Sequence, residues 1–167
     1  MKFTASPSFI FACIAIVSLF SQYNTAAIPE NLPKEIHIIQ QWSGDYPVAE
    51  LKRLPAGQQK GTSGYIGDGT TFRTVWEAFR PGEKVPAVDF DKHLVVLSRN
   101  VDFYNRTTIL KVTLSNGTAE VLAMETMSSN PIEDKVAMAL AVIPRAGVRF
   151  IQLGNRRISV ERPGRAR

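Results

Sequence analysis

The run Leu94-Val95-Val96-Leu97 has no polar side. A strand of that composition cannot present either surface to water, so it demands one covering layer above and another below. The preceding residues supply one of those layers. Phe72, Val75, Trp76 and Phe79 recur at i, i+3, i+4 and i+7, the spacing of one face of an amphipathic helix. Thr70 or Thr71 can cap that helix, and Thr74 with Glu77 has capping-box spacing too. Pro81-Gly82 ends it, because a residue before proline is pushed away from helical angles. Thr70–Ser98 therefore reads as helix, turn and buried strand, with Trp76 and that strand at the centre of the core.

Asn116-Gly117 is the preferred pair for a two-residue hairpin turn, and it stands between Thr107–Leu114 and Thr118–Glu125. The register it implies sets Leu114 opposite Ala119, Val112 opposite Val121 and Leu110 opposite Ala123, all six on one face. A second hairpin is expected for Val148–Leu153 and Arg157–Val160 around Gly154-Asn155. Ile36–Trp42 is a candidate first strand ending at Ser43-Gly44-Asp45, and Glu50–Asp68 reads as a long surface connection with a short strand near Gly64–Gly67. Two readings compete for Ile132–Ile143. The Asn130 cap, Pro131 at the first helical position, Glu133 and the alanine content favour a helix. The alternation of Val136, Met138, Leu140 and Val142 with alanines favours a strand.

Residues 1–27 read as a signal peptide: Lys2, an apolar stretch Phe9–Phe20 broken only by Ser18, then small residues at Thr25-Ala26-Ala27. An uncleaved anchor is the rival, although spanning a bilayer takes about 20 apolar residues. Cys13 only half resembles a lipidation site, because Phe11 is bulky and the apolar run continues beyond it. The only cysteine lies in this segment, so the remaining chain of about 140 residues needs a hydrophobic core rather than disulfides. Residues 28–35, with Pro29 and Pro33, form an extended leader; 36–161 form one domain; 162–167 form a basic tail. The expectation is an exported protein, periplasmic or secreted, with no transmembrane anchor. The fold class expected is α+β: a mostly antiparallel sheet or sandwich carrying two short helices, as a single small domain.

The formal net charge is +5. Arg156, Arg157, Arg162, Arg165 and Arg167 crowd the end of the chain against Glu161 alone. In an exported protein such an end suits an acidic polymer or lipid surface better than nucleic acid. Little else carries chemistry. His37 and His93 stand in apolar strand contexts without helical spacing between them. No phosphate loop, dinucleotide fingerprint, nucleophile elbow or zinc spacing is present, and no metal or other cofactor is expected. Asp89 and Asp91 are two apart, so a carboxylate pair for a small hydrolase is conceivable, against the reading that they bind nearby backbone. Met124 and Met127 read as core residues rather than soft-metal ligands. Arg99–Arg106 is the better binding candidate. Phe103 and Tyr104 offer rigid contact area, Arg99 and Arg106 charge-assisted bonds, and Asp102 a carboxylate. Asn105 and Asn116 begin Asn-x-Thr triplets, which matter only in a eukaryotic secretory pathway.

The order of helix tryptophan, Pro86-x-Val88-Asp89-Phe90, Val-rich strand, hairpin, proline-terminated segment and last strand resembles the C-terminal domain of PrcB-type protease-complex subunits. The likeness covers roughly Gly64–Leu153, and its most specific element is Trp76 with Val88-Asp89-Phe90. It implies a small exported α+β domain that assists or binds a protease without catalytic residues of its own. The glycine-rich loop that follows the buried strand in that family is replaced here by Arg99–Arg106, a departure that bears on the partner rather than on the fold. The function expected is a non-enzymatic accessory module for a protein partner, a protease being one such partner. Polysaccharide or anionic-surface binding and a small hydrolase are the alternatives.

Overall fold

The computed structural model describes residues 32–100, 106–127 and 133–161. The Leu94–Leu97 run lies in β4 (His93–Asn100), of which every residue after His93 is buried. Its neighbours are β3 (Ser63–Ile66) and β7 (Lys135–Pro144), both antiparallel to it, and β7 pairs in turn with β2 (Gln40–Pro47). This four-stranded central sheet has the order β2-β7-β4-β3. The second sheet has the order β1-β5-β6-β8-β9, built from β1 (Lys34–Ile36), β5 (Arg106–Ser115), β6 (Thr118–Thr126), β8 (Phe150–Leu153) and β9 (Arg156–Ser159). The protein is a mostly antiparallel α+β domain, and among the described residues only β6 and β8 pair in parallel.

Both layers demanded by β4 are present. On one face Val95 and Leu97 join Phe72, Val75, Trp76 and Phe79 of helix α1 (Gly69–Phe79). On the other, Leu94 and Val96 join Ile109, Val112, Val121 and Ile151 of the second sheet. Trp76 centres the helix-side core: its ring stands edge-on to Trp42 at 5.1 Å, with Phe72 at 5.8 Å and Phe79 at 5.9 Å. Val85, Val88 and Phe90 seal that cluster from the segment leading into β4. The helix cap is Asp68, just before the threonines expected at 70 and 71, accepting from the Thr71 N–H at 2.8 Å. The chain leaves helical angles at Arg80, as the following proline requires.

Where the sequence predicts a helix over Ile132–Ile143, residues 135–143 are strand, part of β7; Asn130, Pro131 and Ile132 lie outside the described residues. Val136, Met138, Leu140 and Val142 pack under α1, while Ala139, Ala141 and Ile143 face the second sheet. The large-small alternation is therefore a two-faced strand, and pairing on both edges overrides the helix preference of alanine. The second helix of the fold is a single 3-10 segment, Val48–Arg53. Other boundaries shift too: the chain pairs from Lys34, inside the expected leader, and β2 runs through Gly44 to Pro47. The short strand expected near Gly64–Gly67 is β3, and the connection before it is anchored rather than wholly on the surface, since Leu54, Gln58 and Gly61 are buried.

The Asn116-Gly117 hairpin has the expected turn, with φ of 51° and 79°, and the pairs Leu114–Ala119 and Val112–Val121. The third pair differs: Ala123 lies opposite Ile109, because a bulge between Ile109 and Lys111 adds one residue to β5. Ile109 and Val112 are buried while Leu110 and Lys111 are both exposed. The second hairpin pairs Leu153 with Arg156 and Ile151 with Ile158. Trp76→Ala is expected to cost about 3–5 kcal/mol in urea unfolding, the usual cost of emptying an aromatic core position, against typical domain stabilities of about 5–15 kcal/mol. A loss below about 1 kcal/mol would remove Trp76 from the centre of the core.

Candidate functional site

The expected binding segment divides into three parts. Asp102, Phe103 and Tyr104 lie outside the described residues. Arg99 is not a surface group at all: it is strand residue 99 of β4, opposite Met138, and is 0% exposed. In the period-two alternation it follows Val95 and Leu97 onto the helix side of the central sheet. Its Nε donates to Gly61 O at 2.7 Å and its Nη2 to Gln58 O at 2.7 Å and to Gly61 O, while Nη1 has no hydrogen-bond partner. Its backbone N–H reaches Thr62 O at 2.7 Å. Arg99 thus clamps the 57–62 segment against the edge of β3.

The same segment is held from two other directions. Gln58 turns its Oε1 inward to accept the Tyr65 N–H at 2.6 Å, which occupies an otherwise open edge group of β3. Arg156, from β9, donates to Gly57 O at 2.9 Å, and its guanidinium fills the space a Cβ on Gly61 would need. One of the five C-terminal arginines is therefore a structural tie. Arg157 stacks over Phe150 at 3.9 Å, and Arg162, Arg165 and Arg167 lie outside the described residues. Burial, with the Arg156 charge adding to it, lowers the Arg99 guanidinium to about 10. Burial also pushes the Tyr46 hydroxyl up to about 12.

Arg106, by contrast, is exposed at the start of β5, opposite Thr126. Its strand and β6 carry the largest exposed apolar group on any sheet face among the described residues. Leu110 (53% exposed), Leu122 (55%) and Met124 (49%) lie outward on neighbouring strands, beside Lys111, which pairs with Leu122. The bulge brings Leu110 to this face; an unbroken alternation from Val112 would have buried it and exposed Ile109. The consecutive apolar pair Ile109-Leu110 before Lys111 was the available sequence signal for that bulge. Met124 and Met127 are exposed rather than core residues: Met124 belongs to the outward, even-numbered row of β6, and Met127 lies just past the end of that strand.

Asp89 and Asp91 are in the turn before β4, not on a strand. The Asp89 carboxylate accepts the Asp91 N–H at 3.1 Å and pairs with Lys92 Nζ at 3.1 Å. The bond to Lys92 holds its pKa below the usual carboxylate value, a direction that suits turn-holding and opposes proton transfer near neutrality. Asp89 and half-buried His93 line a cleft of about 510 Å³ with Ile39, Gln40, Ala87, Val88 and Val142. A second groove, of about 410 Å³, is lined by residues 35–41, including exposed His37, together with Leu110 and Lys111. Among the described residues no three His, Cys, Asp or Glu side chains gather as a metal site, and no helix is long and apolar enough to cross a membrane.

Arg99→Met is expected to lower stability by about 2–3 kcal/mol, since two buried carbonyls lose charged donors, whereas Arg106→Ala should change it by under about 0.5 kcal/mol. Equal effects in urea unfolding would contradict the assignment of one to the interior and the other to the surface. Tyr46 supplies a pH test. Between its ordinary value of 10.0 and about 12 the folded chain keeps a proton that the unfolded chain has lost, so this group's contribution falls as pH rises. Arg99 has the opposite sign above about 10, because there the folded chain loses its proton first. Tyr46→Phe removes only the first slope. At neutral pH the variant should be about 1 kcal/mol less stable, having lost the 3.0 Å bond to Glu50 O, and the gap should close above pH 10. A constant gap would reject the shift.

Set beside known proteins, the chain matches no family model, no curated protein and no solved structure.

Proposed function

We propose that this protein is a non-enzymatic, exported accessory module that binds a protein partner through the outer face of its β5–β6 hairpin. The observation that carries the reading is the adjacency of Leu110, Leu122 and Met124, each about half exposed on one rigid sheet surface. Apolar side chains clustered on a sheet are costly to leave in water and become favourable when a partner covers them. Arg106 and Lys111 border the patch and supply charged contacts at its rim, where they steer encounter more than they add affinity. Export is supported by the composition of the first 27 residues, and a protease as partner by the likeness carried by Trp76 and Val88-Asp89-Phe90.

The test is crosslinked capture from the native exported fraction with the tagged protein, read by mass spectrometry at low and high salt. A partner held by apolar burial remains at high salt, unlike one held by surface charge. The double variant Leu122→Ser/Met124→Ser should keep wild-type stability within about 1 kcal/mol, because both side chains are already half in water. It should weaken the dominant partner by at least about tenfold, the effect of losing a contact worth about 1.4 kcal/mol. Capture that is unchanged in the folded double variant would remove this face from the interaction. Capture that disappears at high salt would transfer the reading to the basic end of the chain.

A further inference from the structure

The edge of β5 is only half used. β1 pairs with it over Lys34–Leu114, Glu35–Thr113 and Ile36–Val112, and then the chain leaves through residues 37–39 to join the central sheet at Gln40. Among the described residues, Arg106–Lys111 has β6 on one side and no strand on the other. These six residues are the length of an ordinary strand. About half of their amides and carbonyls point away from β6, as the alternation of an antiparallel ladder dictates. The groove of about 410 Å³ lies against this edge, walled by the departing residues 35–41 and floored by Leu110 and Lys111.

We infer that the partner binds by strand addition: an extended segment continues the row begun by β1, pairs antiparallel with Arg106–Lys111, and carries acidic residues at its two ends. The inference rests on the protein-partner reading above, and adds the mode of binding and the chemistry of the partner segment. Backbone pairing supplies the common affinity, and the outward row Arg106, Thr108, Leu110 and Lys111 supplies selectivity. The same row argues against a second copy of this chain. A symmetric antiparallel pair of these edges sets Arg106 opposite Lys111 at both ends, and like charges directly opposite are destabilising. A foreign strand with carboxylates at those positions converts both repulsions to attraction. Among the described residues, Arg106 and Lys111 are absent from the ion pairs, so both remain available. The bulge at Leu110 twists the far end of the edge and keeps it short, which disfavours indefinite sheet growth.

The experiment is hydrogen exchange on the full chain with the synthetic hexapeptide Glu-Val-Thr-Val-Thr-Glu, blocked at both termini. In dilute free protein, half of the amides in residues 106–111 should exchange faster than the half bonded to β6. The peptide should slow the fast half at least tenfold, and a version N-methylated at alternate residues should not. Arg106→Glu/Lys111→Glu should weaken the peptide at least tenfold, and replacing its two glutamates by lysine should restore binding to that variant. Slow exchange at every dilution, protection that grows with protein concentration alone, no slowing by the peptide, or equal binding of the N-methylated peptide would each overturn strand addition. None of those results depends on Leu122 or Met124, so the wider protein-partner reading stands or falls separately.

Discussion

Burial of β4 and β7 on both faces is the constraint from which the rest of this structure follows. Two adjacent strands without a solvent side need an apolar layer above and below, and the described residues offer only one amphipathic helix. The second layer must therefore be a sheet. The residues of β7 are divided to match: large side chains toward the aromatic cluster around Trp76, and alanines toward the second sheet, where β5 and β6 approach closely. Small residues on that side let the two sheets pack tightly, and large ones on the other fill the wider space beneath a helix. Among the described residues, the order helix, central sheet, second sheet leaves the outer surface of β5, β6 and β8 uncovered.

Arg99 shows how the interior handles a charge it does not pair with a carboxylate. Its guanidinium is taken fully out of water and bonded to backbone carbonyls of the 57–62 segment, with one nitrogen left without a partner. Such an arrangement carries a desolvation cost, expressed in the lowered pKa. Its return is positional: carbonyls that would otherwise be orphaned beside an edge strand are satisfied, and the segment is fixed to the sheet. With Gln58 on the β3 edge and Arg156 reaching across from β9, polar side chains do here what a further strand would do elsewhere.

The other edges are treated differently. β1 and β2 are one continuous stretch of chain that switches sheets, closing one side of the sandwich. Arg145 ties the opposite side through Gly67 O at 2.7 Å and Glu161 O at 3.2 Å, with Tyr65 accepting the Glu161 N–H at 2.9 Å. The switch at residues 37–39 withdraws pairing from the first half of β5, beside the bulge that turns Leu110 outward. The half-open edge thus comes from the departure of the chain to the central sheet, and the outward turn of Leu110 from the bulge beside it.

Much of this was legible in the residues alone. The apolar run at Leu94, the helical spacing of Phe72 through Phe79 and the Asn116-Gly117 turn are local signals, each decided by side-chain chemistry within a few residues. The tertiary structure decided what depends on distant partners. Ile132–Ile143 carried helix caps and alanines, yet its central residues form a strand because β2 and β4 bond it on both edges. Arg99 looked like the start of a polar loop, yet it is interior because carbonyls 38 and 41 residues earlier come to meet its guanidinium. Leu110 looked like a core residue until the bulge moved it to the surface. Local sequence determines which conformations are cheap, whereas pairing and burial between remote segments determine which one the chain adopts, and the candidate binding face is a product of the second.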